Sequence, residues 1–190
     1  VLRGIAFLSR DDAWGNNPAK FANLIMQEDD GHFRLSFDLV ITNDTQRLNA
    51  VAKIEGNSQG RLNFSVFAKA ASDFVTNRTG FTILHPLENV VGQPVDVTHT
   101  DGTQTLQWFP ENISPGQPIF DIRALTHRVG PELTATILME GAKFEMEDHR
   151  NWMDASFKTY SGSLFDPWPY TIERGENINQ TVTLTVSGLN

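Results

Sequence analysis

Residues 32–41 do most to limit what this chain can become. Phe33, Leu35, Phe37, Leu39 and Ile41 alternate without a break with His32, Arg34, Ser36 and Asp38. A period of two places successive side chains on opposite faces of an extended strand. A helix would scatter the same apolar residues around its circumference, so this segment must be a strand with one face in a core. All five apolar residues are expected to be buried on that face. A one-residue slip would invert every side chain.

The pattern recurs. Leu48, Ala50, Ala52 and Ile54 alternate, and so do Leu62, Phe64, Val66 and Ala68 beyond Gly56-Asn57-Ser58-Gln59-Gly60. These segments read as consecutive antiparallel strands. Before them, residues 2–9 form an apolar run broken by Arg10-Asp11-Asp12 and Trp14-Gly15, and residues 21–27 form a strand closed by Asp30-Gly31. Asp-Gly is a favoured two-residue hairpin turn, and Asp101-Gly102 repeats it between residues 95–100 and 103–109. Residues 68–74 could make a helical turn. Residues 110–118 hold three prolines and must be irregular. Residues 119–127 and 132–139 should pair across Gly130-Pro131, and residues 181–187 close the chain with Val182, Leu184 and Val186 on one face. About a dozen short strands with very little helix predict an all-β protein, a large antiparallel β-sandwich.

At 190 residues, one sandwich domain over 1–190 is expected, with no low-complexity linker to divide it. The start at Val1 suggests the front part of a longer protein. A net charge of −8 argues against a nucleic-acid or anionic-membrane surface. No apolar run approaches the roughly 18 residues of a membrane span, and a cytoplasmic location is the expectation. With no cysteine, thiolate catalysis and zinc–thiolate sites are excluded. Sequons at Asn43, Asn63, Asn77, Asn112 and Asn179 suit Asn/Thr-rich turns.

Residues 144–160, F-E-M-E-D-H-R-N-W-M-D-A-S-F-K-T-Y, break both periodicities and mix charges of both signs with aromatics. Local rules fail most often at functional sites. The alternative is a polar segment whose charges pair among themselves. In an extended conformation Glu145 and Glu147 share a face, opposite Met146 and Asp148. Two carboxylates on one concave site could divide acid and base roles, or hydrogen-bond sugar hydroxyls, or be neutralised by Arg150 and Lys158. Arg150, Asp154 and Lys158 are expected to be buried and mutually bonded, drawn inward by Phe144, Trp152 and Phe157.

The histidines at 32, 85, 99, 127 and 149 show no metal-binding spacing, and no metal or cofactor is expected. His85, just before Pro86, could point into a pocket or be structural. Trp108, Trp152, Trp168 and Tyr170 could line a sugar site, although core packing is the commoner role of such residues. No serine-nucleophile or phosphate-loop motif occurs.

Several of these stretches resemble one family. Leu2-Arg3-Gly4-Ile5, Arg10-Asp11 and Trp14-Gly15 look like the amino-terminal part of bacterial D-apionate lactonases. Asn77-Arg78-Thr79-Gly80-Phe81 with Leu84-His85-Pro86 is similar to an internal motif there. Residues 145–160 resemble that family's E-M-E-D-Q-R-N-W-T-D-A-S-F-K-T-Y, with His149 in place of Gln and Met153 in place of Thr. The resemblance implies a galactose-mutarotase-like supersandwich, preceding a catalytic barrel region in a longer enzyme that opens a sugar lactone.

For lactone opening, the catalytic candidates by chemical type are Glu145, Glu147, Asp148 and His85. Substrate-binding candidates are Asn77, Arg78, Arg150, Asn151, Trp152, Asp154 and Lys158. A carbohydrate or sugar-lactone ligand and a barrel domain of the same parent are the expected partners. Two other readings stand beside the lactonase part. One is a non-catalytic carbohydrate-binding or scaffolding module; the other is a mutarotase-like epimerase, which needs a His and a carboxylate facing one concave sheet.

Overall fold

The computed structural model describes residues 1–188. In chain order the strands are β1 (Gly4–Arg10), β2 (Ala19–Asp29), β3 (His32–Asn43), β4 (Gln46–Asn57), β5 (Arg61–Ala70), β6 (Phe74–Thr76), β7 (Arg78–Pro86) and β8 (Pro94–His99). They continue as β9 (Gln104–Trp108), β10 (Ile119–Arg128), β11 (Thr134–Glu140), β12 (Phe144–Asp148), β13 (Ser156–Ser161), β14 (Tyr170–Ile172) and β15 (Asn177–Ser187). A single 3₁₀ turn, His149–Trp152, interrupts the strands among the described residues. The expected helical turn at 68–74 is absent: β5 runs on to Ala70, and the chain then bends into β6.

Thirteen strands join one antiparallel sheet, with the path β1-β7-β13-β12-β10-β11-β15-β5-β4-β3-β2 and a β8–β9 branch off β10. Sheets of this width curl. The turn comes at β10, whose pairing with β12 shifts between Ile119 and Ile122 around Asp121, in left-handed backbone at φ 52°. A bulge of this kind bends a strand and re-aims its continuation. As a result β7 lies over β5 and β15. The Phe64 and Phe81 rings meet edge-on at 4.9 Å, and the Phe81 amide donates to Gln180 Oε1 at 3.0 Å. Gly80 permits this approach, because a Cβ there would fall 1.9 Å from Ser161 Oγ.

The core between the layers is built from the inward sets read from the sequence: Leu48, Ala50 and Ala52 on β4, Phe64, Val66 and Ala68 on β5, and Phe144 and Met146 on β12. The β3 register also holds, yet burial along it is uneven. Leu39 and Ile41 are closed off, whereas Phe33, Leu35 and Phe37 are only half-buried. Their neighbour in the sheet, β2, is itself exposed along its whole length.

Candidate functional site

Strands β1, β7, β13 and β12 are successive neighbours, and their registers fix which side chains share a face. Glu145 lies opposite Tyr160, Glu147 opposite Lys158, Lys158 opposite Leu84, and Arg78 opposite Arg10. These residues occupy the side of the layer away from the core. Phe157, Thr159 and His85 occupy the core side.

On the outer side, the Tyr160 hydroxyl donates to Glu145 Oε1 at 2.6 Å, and the Leu164 amide donates to the same oxygen at 2.8 Å. Glu145 and Tyr160 are both fully enclosed. Burial, and then the bond to Glu145, pushes the Tyr160 phenol well above its ordinary range. Beside them Lys158 is ion-paired with Glu147, each side chain about 15% exposed. Burial lowers the Lys158 ammonium, with the Glu147 charge opposing and Arg78 and Arg10 adding to the lowering. The Arg78 guanidinium lies 3.6 Å from the Tyr160 ring centroid and 5.2 Å from that of Trp14. Trp14 packs edge-on against Trp168 at 5.2 Å. His149 borders this face, and its imidazole is lowered by burial and by Lys158. A cavity of about 520 Å³ opens next to Arg78, between Asn77, Ser161, Tyr170 and Gln180.

The rest of the motif is used differently. Arg150 grips Asp148 with two bonds, Nε to Oδ1 at 2.8 Å and Nη2 to Oδ2 at 2.7 Å. It also donates to the carbonyls of Pro110, Glu111 and Asn112. Asp148 caps the 3₁₀ turn and accepts from the Ser114 amide at 2.9 Å. Burial alone would raise the Asp148 carboxyl, but the bonds from Arg150 and Ser114 outweigh it and hold the group below its usual range. Asn151 reaches the Ser114 carbonyl. The proline-rich loop, with few backbone bonds of its own, is therefore fastened by Asp148, Arg150 and Asn151.

Asp154 bonds Arg3 at 2.8 Å and Ser156 at 2.7 Å. The mutual Arg150–Asp154–Lys158 network expected from composition is replaced by three separate pairs, because alternation and the turn aim these residues in different directions. Trp152 is not drawn inward either; it stands 72% exposed on the turn. Asn77 is buried and ties the Asp12 carbonyl at 3.1 Å.

His85 is fully buried between the layers. Its Nε2 lies 2.8 Å from Thr159 Oγ1, and its ring sits 5.9 Å from those of Phe109 and His127. Burial, with His127 adding to it, pushes its imidazole down to about 3. It is on the opposite side of the sheet from Glu147, so the two do not meet. Arg10, Trp14 and Tyr160, absent from the sequence-derived set, also belong to the outer face: Arg10 and Tyr160 through the pairing of β1 and β13 with β7, and Trp14 from the loop after β1 through its contact with Arg78. No group of three or more potential metal ligands occurs among the described residues. No helix among them is long and apolar enough to cross a membrane.

The family described as "D-apionate lactonase, N-terminal domain" matches residues 1–189. The chain belongs to that family. A curated relative from Brucella anthropi named D-apionate lactonase is 42% identical over 188 residues, which cover 98% of this chain and 31% of the relative. Thus this family member spans about a third of that relative's length. Its fold is galactose mutarotase-like. It superposes on a GalM/aldose epimerase homologue from C. elegans with TM-score 0.51 at 10% identity, covering 89% of this chain and 70% of that one. With the α-galactosidase of Lactobacillus brevis the TM-score is 0.56 at 12% identity, covering 96% of this chain and 29% of that one.

Proposed function

We propose that this D-apionate lactonase N-terminal domain is one sandwich domain of a longer cytoplasmic carbohydrate lactonase, and that its outer β1–β7–β13–β12 face meets the sugar. The observation that carries the reading is the joining of Glu147, Lys158 and Arg78 on one half-buried face edged by Trp14 and Trp168. Opening a lactone requires an activated water, a donor for the tetrahedral oxyanion and a proton for the departing ring oxygen. Glu147 is the carboxylate left to orient water, since Glu145 and Asp148 are enclosed and already accept bonds from protein donors. Arg78 suits the oxyanion, and the lowered Lys158 ammonium suits proton delivery. Indole faces suit the C–H side of a sugar.

This face is open to water in the isolated chain, and the rest of the parent, a catalytic barrel domain, supplies the enclosure that turnover needs. We place its docking surface on the uncovered inner side of β2 and β3. Phe21 and Met26 there are 70% and 68% exposed beside half-buried Phe33, Leu35 and Phe37. A long, apolar, uncovered edge strand is an association site, and the relative carries more than twice as much further chain to fill it.

Assaying the isolated chain on sugar lactones beside the longer relative tests the reading. Little or no turnover from the isolated chain, with loss of activity in the relative carrying the change equivalent to Glu147→Gln, is the expected result. Full turnover from the isolated chain would place every catalytic group here. A non-catalytic binding or scaffolding module is favoured by one observation: Asp148, Arg150 and Asn151 serve a loop clamp. Unchanged activity of the Glu147→Gln enzyme would select that module.

A further inference from the structure

We propose that Arg10 and Arg78, with Lys158 beside them, form a carboxylate-binding site, so that the outer face holds a sugar acid in preference to its neutral counterpart. The inference rests on the reading of this face as sugar-facing and names the ligand's charge. Arg10 and Arg78 are direct cross-strand partners on β1 and β7. Like charges placed opposite each other destabilise a sheet, and both residues are only half-exposed. In a chain of net charge −8, carboxylates are plentiful. Arg3, Arg34, Arg123, Arg150 and Lys158 each pair with one; Arg10 and Arg78 are among the other ten of the fifteen Lys and Arg residues, for which there is no ion pair among the described residues.

Nearby acids are already engaged. Asp11 Oδ1 accepts from the Ala13 and Gly15 amides, Glu145 from Tyr160 and Leu164, and Glu147 pairs with Lys158. Three cations (Arg10, Arg78, Lys158) thus stand beside three carboxylates (Asp11, Glu145, Glu147), none of which pairs with Arg10 or Arg78. The Arg78 guanidinium lies over the Tyr160 and Trp14 rings, and its N–H groups make no side-chain hydrogen bond or ion pair among the described residues, which leaves them for an acceptor. The Arg10 contact is a single 3.2 Å bond to the Trp14 carbonyl. A planar fork held in this way suits a two-oxygen anion. A phosphate would offer similar oxygens, so the test must separate the two.

The experiment is calorimetric titration of this chain with sodium gluconate, with gluconamide as a neutral isostere, and with inorganic phosphate. Gluconate is expected to bind at least tenfold more tightly than gluconamide or phosphate, and to weaken as salt rises. Arg10→Gln and Arg78→Lys should each weaken gluconate at least tenfold more than they weaken gluconamide. Arg78→Lys keeps the charge and removes the fork, so a loss there identifies geometry. Equal binding of gluconate and gluconamide would overturn the carboxylate assignment and leave the sugar-facing reading intact. Phosphate binding as tightly as gluconate would also overturn it. Binding of none of the three would overturn both.

Discussion

Strand β7 is the shorter and less apolar of two strands, 9 residues against the 12 of β3, yet it is the more completely buried. β7 is covered on both faces, by the core on one side and by the Arg78–Tyr160–Lys158 roof on the other, and its burial is nearly continuous. β3 alternates as its sequence demands, and Phe33, Leu35 and Phe37 of its inward set remain incompletely covered. Burial therefore measures what lies across the sheet as well as polarity. Where polar groups close a face, they must satisfy each other. Where apolar groups stay open, a further surface is called for.

The largest effect expected on the covered side is from Arg150→Ala. Asp148 would be left enclosed without its charge partner, a loss of about 3–5 kcal/mol in chemical denaturation. A cost under about 0.5 kcal/mol, typical of surface changes, would show that the clamp is solvated and the contrast between the two strands is smaller than drawn.

Acid should act on the same side. The folded His85 imidazole is held near 3, against an ordinary value of 6.5. Between those values the unfolded chain takes up a proton that the folded chain excludes, so stability falls as pH falls. The slope from this residue is roughly 1.4 kcal/mol per pH unit. His127, also lowered by burial, adds in the same direction. Denaturation midpoints at pH 6.5 and 5 should separate clearly in the parent chain and converge in His85→Gln; equal separation in both would remove His85 as the cause.

Tyr160→Phe is expected to cost about 1–2 kcal/mol, since Glu145 loses one of its donors inside the layer. Thermal melts of the variant measure it, and no change would mean that water reaches Glu145. The smallest effect belongs to the open side. Phe21→Ser should change stability by less than about 0.5 kcal/mol while reducing concentration-dependent association in sedimentation. A large loss of stability would show that β2 is already packed and needs no cover.

Much of this was legible in the sequence, for identifiable reasons. Strict alternation in residues 33–41 can suit only one register, and the Asp30-Gly31 turn fixed where β2 returns as β3. Residues 145–160 carried the family likeness because they are contiguous. The assembled face was harder to see, since Arg10, Arg78 and Lys158 come from three strands well separated in sequence. Composition indicated that the charges in residues 144–160 needed partners: the neutralisation of carboxylates by Arg150 and Lys158 is found, as Asp148–Arg150 and Glu147–Lys158, whereas the mutual Arg150–Asp154–Lys158 network is not.

What the sequence determined by itself is local: which residues extend, which face of each strand is apolar, and where two-residue turns close, because these depend on side-chain period and backbone preference within a few residues. Only the tertiary structure decided that β7 runs between β1 and β13 and that Arg10 stands opposite Arg78. It likewise decided that His85 lies across the sheet from Glu147. Strand order depends on how a wide sheet curls at β10 and which layers then meet, an outcome of long-range packing that no short stretch of the chain encodes.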